Sequence, residues 1–522
     1  MGAPPAIINK GAQQSRLRAD IVGGSPDPEP LMNSNPYRAL GVRPFINCCS
    51  VRTMHGGSLM LPQVRAAMDA AARHFVNLDE LMEAAGRRIA ELTQAEWGIV
   101  TCGSAAAVAL GTAACVAGND PIRMLRLPFT DGMVNRAIIP RKQRFAYDQS
   151  VRMVGCHIVE IDSPAELDAA LREPVALVVL LGKQEHLSGV RLEEIARKTK
   201  PRGIPILVDA ASEHLERPSP WLVRGADLVV YSGGKFLRGP QTSGLLLGNK
   251  RLVEAAWRNG APHQALGRPM KVSKEDVIGV LAALEYWFEE RDGAAERQKW
   301  DDDLAAIAAR LAQLDGVAAE ILEPQGVERV PRLKIRWDRA RFPLDGLALR
   351  QRLLDGEPRV MLDDNTASEN AISIEPFGLQ PGEAAEVGDA ILAALGDAAR
   401  AAPPAAHAAA AAIAGDWELR VEFLHGARTH RLALEQQGSD IAGHQRSAQF
   451  EGAVAGVVDA DRIRLTFEDR YEASRISYRF EGRVGDGAME GTVILGAASD
   501  QNQGIVNLGQ FGTGAWRAER LG

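Results

Sequence analysis

Between Gly98 and Gly248, short runs that are apolar at every position, GIVTC, VALVVLL, IPILVD, ADLVVY and GLLLG, alternate with polar stretches of helical length. A run with no polar side cannot face water, so these segments predict parallel strands buried on both faces of an α/β sheet. Upstream, from about 60 to 97, apolar residues recur three and four positions apart in LPQVRAAMDAAARHFVNLDELMEAAGRRIAELTQAEW, which predicts two amphipathic helices. The large domain is expected over 41–270. A long helical pattern from about 273 to 315, strand-like PRLKIRW and a mixed stretch to about Arg400 predict a smaller α+β domain over 271–400. Beyond Gly415 the period falls to two, in WELRVEFL, THRLALEQ, DRIRLTF and ISYRFEG, broken by Gly and Asp. That pattern predicts a small antiparallel β-barrel or sandwich over 415–522. The triplets Phe450-Glu451-Gly452, Phe480-Glu481-Gly482 and Met489-Glu490-Gly491 read as recurrent strand ends, and Trp417 and Trp516 as closure of the core.

Punctuation agrees with these divisions. Residues 1–40 carry PDPEP and NSNP and read as an irregular arm, while AARAAPPAAHAAAAAIAG collapses to Ala and Pro and reads as a helix running into a linker over 401–414. A length of 522 residues, 46% hydrophobic and 24% charged, fits about three ordinary globular domains. Lys+Arg 60 against Asp+Glu 67 gives −7, so no global charge draws the chain to nucleic acid. Five cysteines without CxxC spacing suggest reduced thiols, neither a disulfide framework nor a metal site. No signal-peptide core and no membrane-length apolar run is present, so a cytoplasmic protein is expected.

The chemistry concentrates in ADLVVYSGGKFLRGPQTSGLLLG, where Lys235 directly follows a buried strand and is flanked by Gly233, Gly234 and Gly239. A lysine at the C-terminal end of such a strand points into the crevice where open α/β sheets bind ligands. A Walker loop is excluded, because Phe236 stands where it needs Ser or Thr. Asp209 ends another buried strand, in IPILVDAASEH, where an isolated carboxylate is costly. In WGIVTCGSAAAVALG, Gly103, Ser104 and Ala105 offer backbone amides at the positive end of a helix, a place for phosphate. Cup, buried Asp and strand-end Lys, in that order, are the parts that hold pyridoxal phosphate.

At these residues the chain resembles the fold type I pyridoxal-phosphate enzymes, of the aspartate aminotransferase-like architecture, and within them the family of selenocysteine synthase and D-glucosaminate-6-phosphate ammonia-lyase. The resemblance spans about 41–400 and rests on INCCSVRTMHGGS, TCGSAAAVALGTAA, AYDQSVRMVG, VDAASE, YSGGKFLRGPQTSG and GRPMKVSKEDVIGVLAALE. It implies Lys235 as the Schiff-base lysine, Asp209 at the ring nitrogen, and Gly103, Ser104 and Ser232 at the phosphate. His186 is a candidate for the ring, and Arg144 and Tyr147 for cofactor or substrate. Arg268 and Lys271 could cross to a partner subunit's site or simply open a helix. Arg359 is a candidate for a substrate carboxylate or a surface arginine.

The reaction implied is Cα deprotonation of a small amino acid or amino sugar acid followed by β-elimination, as in an ammonia-lyase or dehydratase. Racemase and aldolase chemistry stay open, as does a silent binding protein on the same fold. The tRNA function of selenocysteine synthase is disfavoured by the short arm and acidic balance. A homodimer or larger homo-oligomer is expected, and the basic run from Arg123 to Arg144, with Arg126, Arg136, Arg141 and Lys142, could attract an anionic substrate or lie on a solvated face.

Overall fold

The computed structural model describes residues 35–400, 410–499, 502–507 and 510–521, so most of the predicted arm and linker lies outside the described residues. A first short strand, β1 (Ile46–Cys48), leads to α1 (Pro62–Ala72) and α2 (Leu78–Thr93), the two helices that the three- and four-residue spacing predicts. The central sheet has seven strands: β2 (Trp97–Thr101), β3 (Arg136–Pro140), β4 (His157–Ile161), β5 (Leu177–Leu181), β6 (Ile206–Asp209), β7 (Leu228–Ser232) and β8 (Gly244–Gly248). Their order is β2-β8-β7-β6-β5-β3-β4. Every residue of β2, β5, β6 and β8 is buried, which is why those segments show no polar alternation.

One expectation is corrected here. GLLLG forms β8, which runs antiparallel to both β7 and β2. No crossover helix joins β7 to β8, and a parallel return requires one of a dozen residues or more. The edge strand β4 and its neighbour β3 were not singled out in the sequence, because HIVEI and RAIIP are short and flanked by charge. Helix α3 (Ser104–Ala117) packs its small residues on the sheet so closely that a Cβ at Gly111 would lie 2.7 Å from a Leu207 methyl.

Helix α4 (Lys274–Glu285) falls in the segment assigned to the small domain, yet its Val277, Val280, Ala283 and Leu284 complete the large domain's core. After α5 (Gly293–Leu311) the small domain proper follows, with β9 (Val317–Leu322), β10 (Arg332–Trp337), α6 (Gly346–Asp355), β11 (Val360–Leu362), β12 (Ala371–Ile374) and α7 (Glu383–Arg400). Strands β9, β10 and β12 form an antiparallel sheet, while β1 pairs in parallel with β11. Ile46 and Cys48 therefore belong to the small domain's core although they precede the large domain in sequence.

The C-terminal strands are β13 (Gly415–Glu422), β14 (Ala427–Gln437), β15 (Asp440–Arg446), β16 (Glu451–Asp459), β17 (Arg462–Tyr471), β18 (Ser474–Val484), β19 (Ala488–Ser499), β20 (Asn502–Asn507) and β21 (Thr513–Arg520). Pairing of β18 with β19 closes eight of them into an antiparallel barrel, with β20 added beside β19. Closure removes the exposed edges of an open sheet. Trp417 and Trp516 are both buried within it. The three triplets do lie at strand ends, at the start of β16, the end of β18 and the start of β19; Gly482 and Gly491 face each other across the last two, and a Cβ at Gly482 would lie 2.7 Å from the Trp516 ring. Gly482 makes room for the indole.

Part of the barrel's interior is polar. Gln445 Nε2 donates to Asp469 Oδ1 at 2.9 Å, which leaves Gln445 Oε1 to accept from His430 Nδ1 at 2.9 Å. Arg428 donates to the Tyr478 hydroxyl at 3.1 Å and stands 3.6 Å from Asp469. Burial holds His430 below the usual imidazole range and so in its neutral form. Asp469→Ala removes the acceptor and counter-charge of this buried chain and should cost about 2–4 kcal/mol of stability. Urea unfolding measures it, with Asp469→Asn expected to recover part of the loss.

Candidate active site

Three strand ends meet at one edge of the central sheet. Thr101 of β2 and Ser232 of β7 both pair with Gly244, the first residue of β8. This register brings Gly103, Ser104 and Ser232, distant in sequence, to one place. The approach is so tight that a Cβ on Gly244 would stand 2.4 Å from the Gly103 carbonyl carbon and 2.6 Å from the Ser104 nitrogen. Gly103 takes φ 98°, a left-handed conformation that glycine adopts without strain, and no side chain caps α3. The first intrahelical bond runs from Ala107 N to Gly103 O, leaving the N–H groups of Ser104, Ala105 and Ala106 without an intrahelical acceptor. Free amides at a positive helix end fit a phosphate.

Lys235 sits in a pinned turn. Gly233 N donates to Ser243 O at 3.0 Å, Gly239 N donates to Gly233 O at 2.8 Å, and Ser58 Oγ donates to Lys235 O at 2.7 Å. Cβ atoms on Gly57 or Gly234 would collide with Gly234 O or with Gln241 Cα. Asp209, at the end of β6, lies between Leu181 of β5 and Val230 of β7. It is buried, and its Oδ1 accepts from Ala211 N at 3.0 Å. Burial pushes the Asp209 carboxyl up, against the Ala211 bond and the charge of Lys235. Burial pushes the Lys235 ammonium down, opposed by Asp209 and reinforced by Lys183. Each charge is thus costly in the crevice and is partly maintained by the other.

Tyr147 is brought close enough to Asp209 that its hydroxyl is raised by burial and by that carboxylate. His186 lies exposed in the turn that follows β5, at the same edge. Arg144 has a different environment. Its buried guanidinium is bound by Asp148 and Glu160 and, at 2.7 Å, by Glu472 from the barrel. Arg359 donates to Leu354 O at 3.1 Å and Arg43 O at 2.9 Å, tying the chain's start to the small domain. Arg268 and Lys271 are exposed, and among the described residues neither side chain has a hydrogen-bond or ion-pair partner.

The structure also brings in residues that the sequence reading passed over. Glu213 Oε2 accepts from Trp221 Nε1 at 2.8 Å, and burial together with Asp209 pushes its carboxyl up to about 7. His214 packs against Phe236, next to Lys235, at 4.5 Å between ring centroids, and burial drives its imidazole down to about 3. Lys183 bridges the crevice to Glu328 of the small domain at 3.1 Å. The signal for the first two was the VDAASEH stretch itself, in which only Asp209 was assigned.

A 5'-C-glycyluridine monooxygenase-decarboxylase from Streptomyces sp is 32% identical over 360 residues, covering 66% of this chain and 88% of that protein. The chain belongs to the fold type I pyridoxal-phosphate enzymes, in the family of selenocysteine synthase and D-glucosaminate-6-phosphate ammonia-lyase. The D-glucosaminate-6-phosphate ammonia lyase of Salmonella typhimurium is 28% identical over 366 residues, 68% of this chain and 96% of its own length. A solved structure of D-glucosaminate-6-phosphate ammonia-lyase superposes with a TM-score of 0.62 at 27% identity, over 70% of this chain and all of that one. No family model matches. These matches leave about a third of the chain outside the shared portion. This pyridoxal-phosphate enzyme has free amides at the start of α3, and a buried carboxylate and amine at the neighbouring strand ends.

Two outcomes follow from this geometry. Gly244→Ala should lower pyridoxal-phosphate affinity by at least about tenfold, since the new methyl must move the cup's backbone, and fluorescence titration of the apoprotein reads it. Glu213, with a folded value of about 7 against an ordinary 4.5, binds more protons folded than unfolded. Its contribution to stability is full below about pH 4.5 and is lost as pH rises through 7. In Glu213→Gln that decline between pH 4.5 and 7 should vanish from the denaturation midpoints.

Proposed function

We propose that this enzyme is a pyridoxal-phosphate-dependent lyase that takes a proton from Cα of a small amino acid or amino sugar acid and expels a β-substituent. The observation that carries the reading is the pairing of a pinned Lys235, whose ammonium is destabilised by burial, with Asp209 at the end of the neighbouring strand. Bound pyridoxal phosphate supplies an electron sink for charge that develops at Cα. The amides of Ser104 and Ala105, with the Ser232 hydroxyl, would hold the phosphate. Asp209 would keep a proton on the ring nitrogen. Lys235 Nζ is the covalent anchor and, once free as a neutral amine, the acceptor of the Cα proton. Depression of its pKa matters because an ammonium has no lone pair to accept with. Aromatic packing of His214 and Phe236 beside Lys235 limits water in the crevice. The exposed cations Arg268 and Lys271 suit a site completed by a second copy of the chain.

The similarity to a protein named as a decarboxylase favours one alternative, in which the carboxylate leaves Cα instead of the proton. The test is a screen of D- and L-amino acids and amino sugar acids, with parallel assays for 2-oxo acid, ammonia and carbon dioxide. The proposed reaction yields 2-oxo acid and ammonia without carbon dioxide, and the alternative yields carbon dioxide. Lys235→Ala should leave the cup able to bind cofactor and cut turnover by about 10³-fold or more. Full turnover in that variant would sink the mechanism.

A further inference from the structure

The barrel meets the catalytic domain at a cleft of about 580 Å³ that the mechanism above does not use. One wall is the turn Arg141–Gln143 after β3 and the turn Gly182–Leu187 after β5; the other is Arg470 and Glu472 in the hairpin between β17 and β18. Both turns stand at the edge of the sheet that carries Asp209, and Lys183, next to Gln184, acts on Lys235. The cleft therefore adjoins the crevice.

Its lining is cationic. Arg141, Lys142, Arg144 and Arg470 face it against Glu160 and Glu472. Arg144 is spent on three carboxylates, and Arg141 is held by Glu160 at 2.9 Å and by Asp162. Lys142 is exposed and has no hydrogen-bond or ion-pair partner among the described residues, so its charge is uncompensated. Beside it Gln184 is buried, yet its Oε1 accepts no hydrogen bond. Buried amides in native proteins are normally satisfied, and the N–H₂ of this cleft-lining side chain likewise donates to no group among the described residues. An uncompensated cation and an unsatisfied amide in one cleft are complementary to an anion.

We infer that this cleft is a binding subsite for the phosphoryl or carboxylate group of a small molecule, built jointly by the catalytic domain and the barrel. As the distal end of a substrate site it rests on the lyase reading; as an anion site it does not. The barrel then contributes directly to recognition, through Arg470 and the carboxylate of Glu472, which sets the charge of the wall.

The experiment is a calorimetric titration of the full-length protein, saturated with pyridoxal phosphate so that the cup is filled, with inorganic phosphate at low ionic strength. One saturable site is expected. Lys142→Glu should weaken it by about tenfold or more. Glu472→Gln, which takes a negative charge off the wall, should tighten it several-fold, a gain that a misfolded variant cannot imitate. Absence of a saturable site in the unaltered protein, or equal affinity in all three proteins, would overturn the inference. Because heat is read without turnover, a Lys142-dependent phosphate site beside a failed lyase assay would sink only the lyase reading. An active lyase with no such site would sink only the subsite.

Discussion

Everything in the active site hangs on a backbone approach with no space for a side chain. Gly244 starts β8 where β2 and β7 end, and its missing Cβ lets the α3 cup lie against β8, beside the strand that leads to Lys235. The antiparallel return of β8 is what makes this possible. Running opposite to its neighbours, it has its beginning where they have their ends, so two loops from different parts of the chain converge over a single glycine. A parallel β8 would place its beginning at the far edge of the sheet, and Gly244 would no longer lie between the cup and the turn of Lys235.

A second constraint is electrostatic. Asp209 and Lys235 are each taken from water at the edge of a sheet with an apolar interior, and neither carries its charge cheaply there. For Asp209 a permanent cationic partner such as a protonated ring nitrogen would repay the cost; for Lys235 the cost itself is useful, because it favours the neutral amine. The same logic is used differently at Arg144. There, Asp148, Glu160 and Glu472 surround one guanidinium, and the third of these comes from the barrel. An arginine in that position fixes the hairpin and with it the wall of the neighbouring cleft.

What could be read in advance follows from how local each determinant is. Lys235, Asp209 and Ser104 are each announced by their own neighbours, an apolar run followed by glycine, acid or small residues, and their order along the chain adds specificity. The eight-stranded barrel was legible for the same reason, since alternation is a property of each strand alone. Glu213 and His214 were not, because their altered protonation comes from burial and, for Glu213, from Asp209, surroundings that only folding builds. Arg144 and Arg359 have arginine's usual versatility in sequence; their partners Glu472 and the Arg43 carbonyl come from distant parts of the chain. The core role of α4 was hidden because a helix that starts after a loop looks like the start of something new.

The barrel shows why domain count and domain role are separate questions. It closes on its own hydrogen bonds and has its own core of Trp417, Phe480 and Trp516, so nothing in its fold requires the enzyme. Its position is nonetheless specific: the β17–β18 hairpin gives Glu472 to Arg144, and β20 lies against the Asp364–Thr366 turn of the small domain. A domain anchored to both halves of a crevice restrains how they move relative to each other, and closure of domains over a crevice is a general means of controlling access. An appended barrel held at those two places can thus change which molecules reach Lys235 without altering any residue that does chemistry.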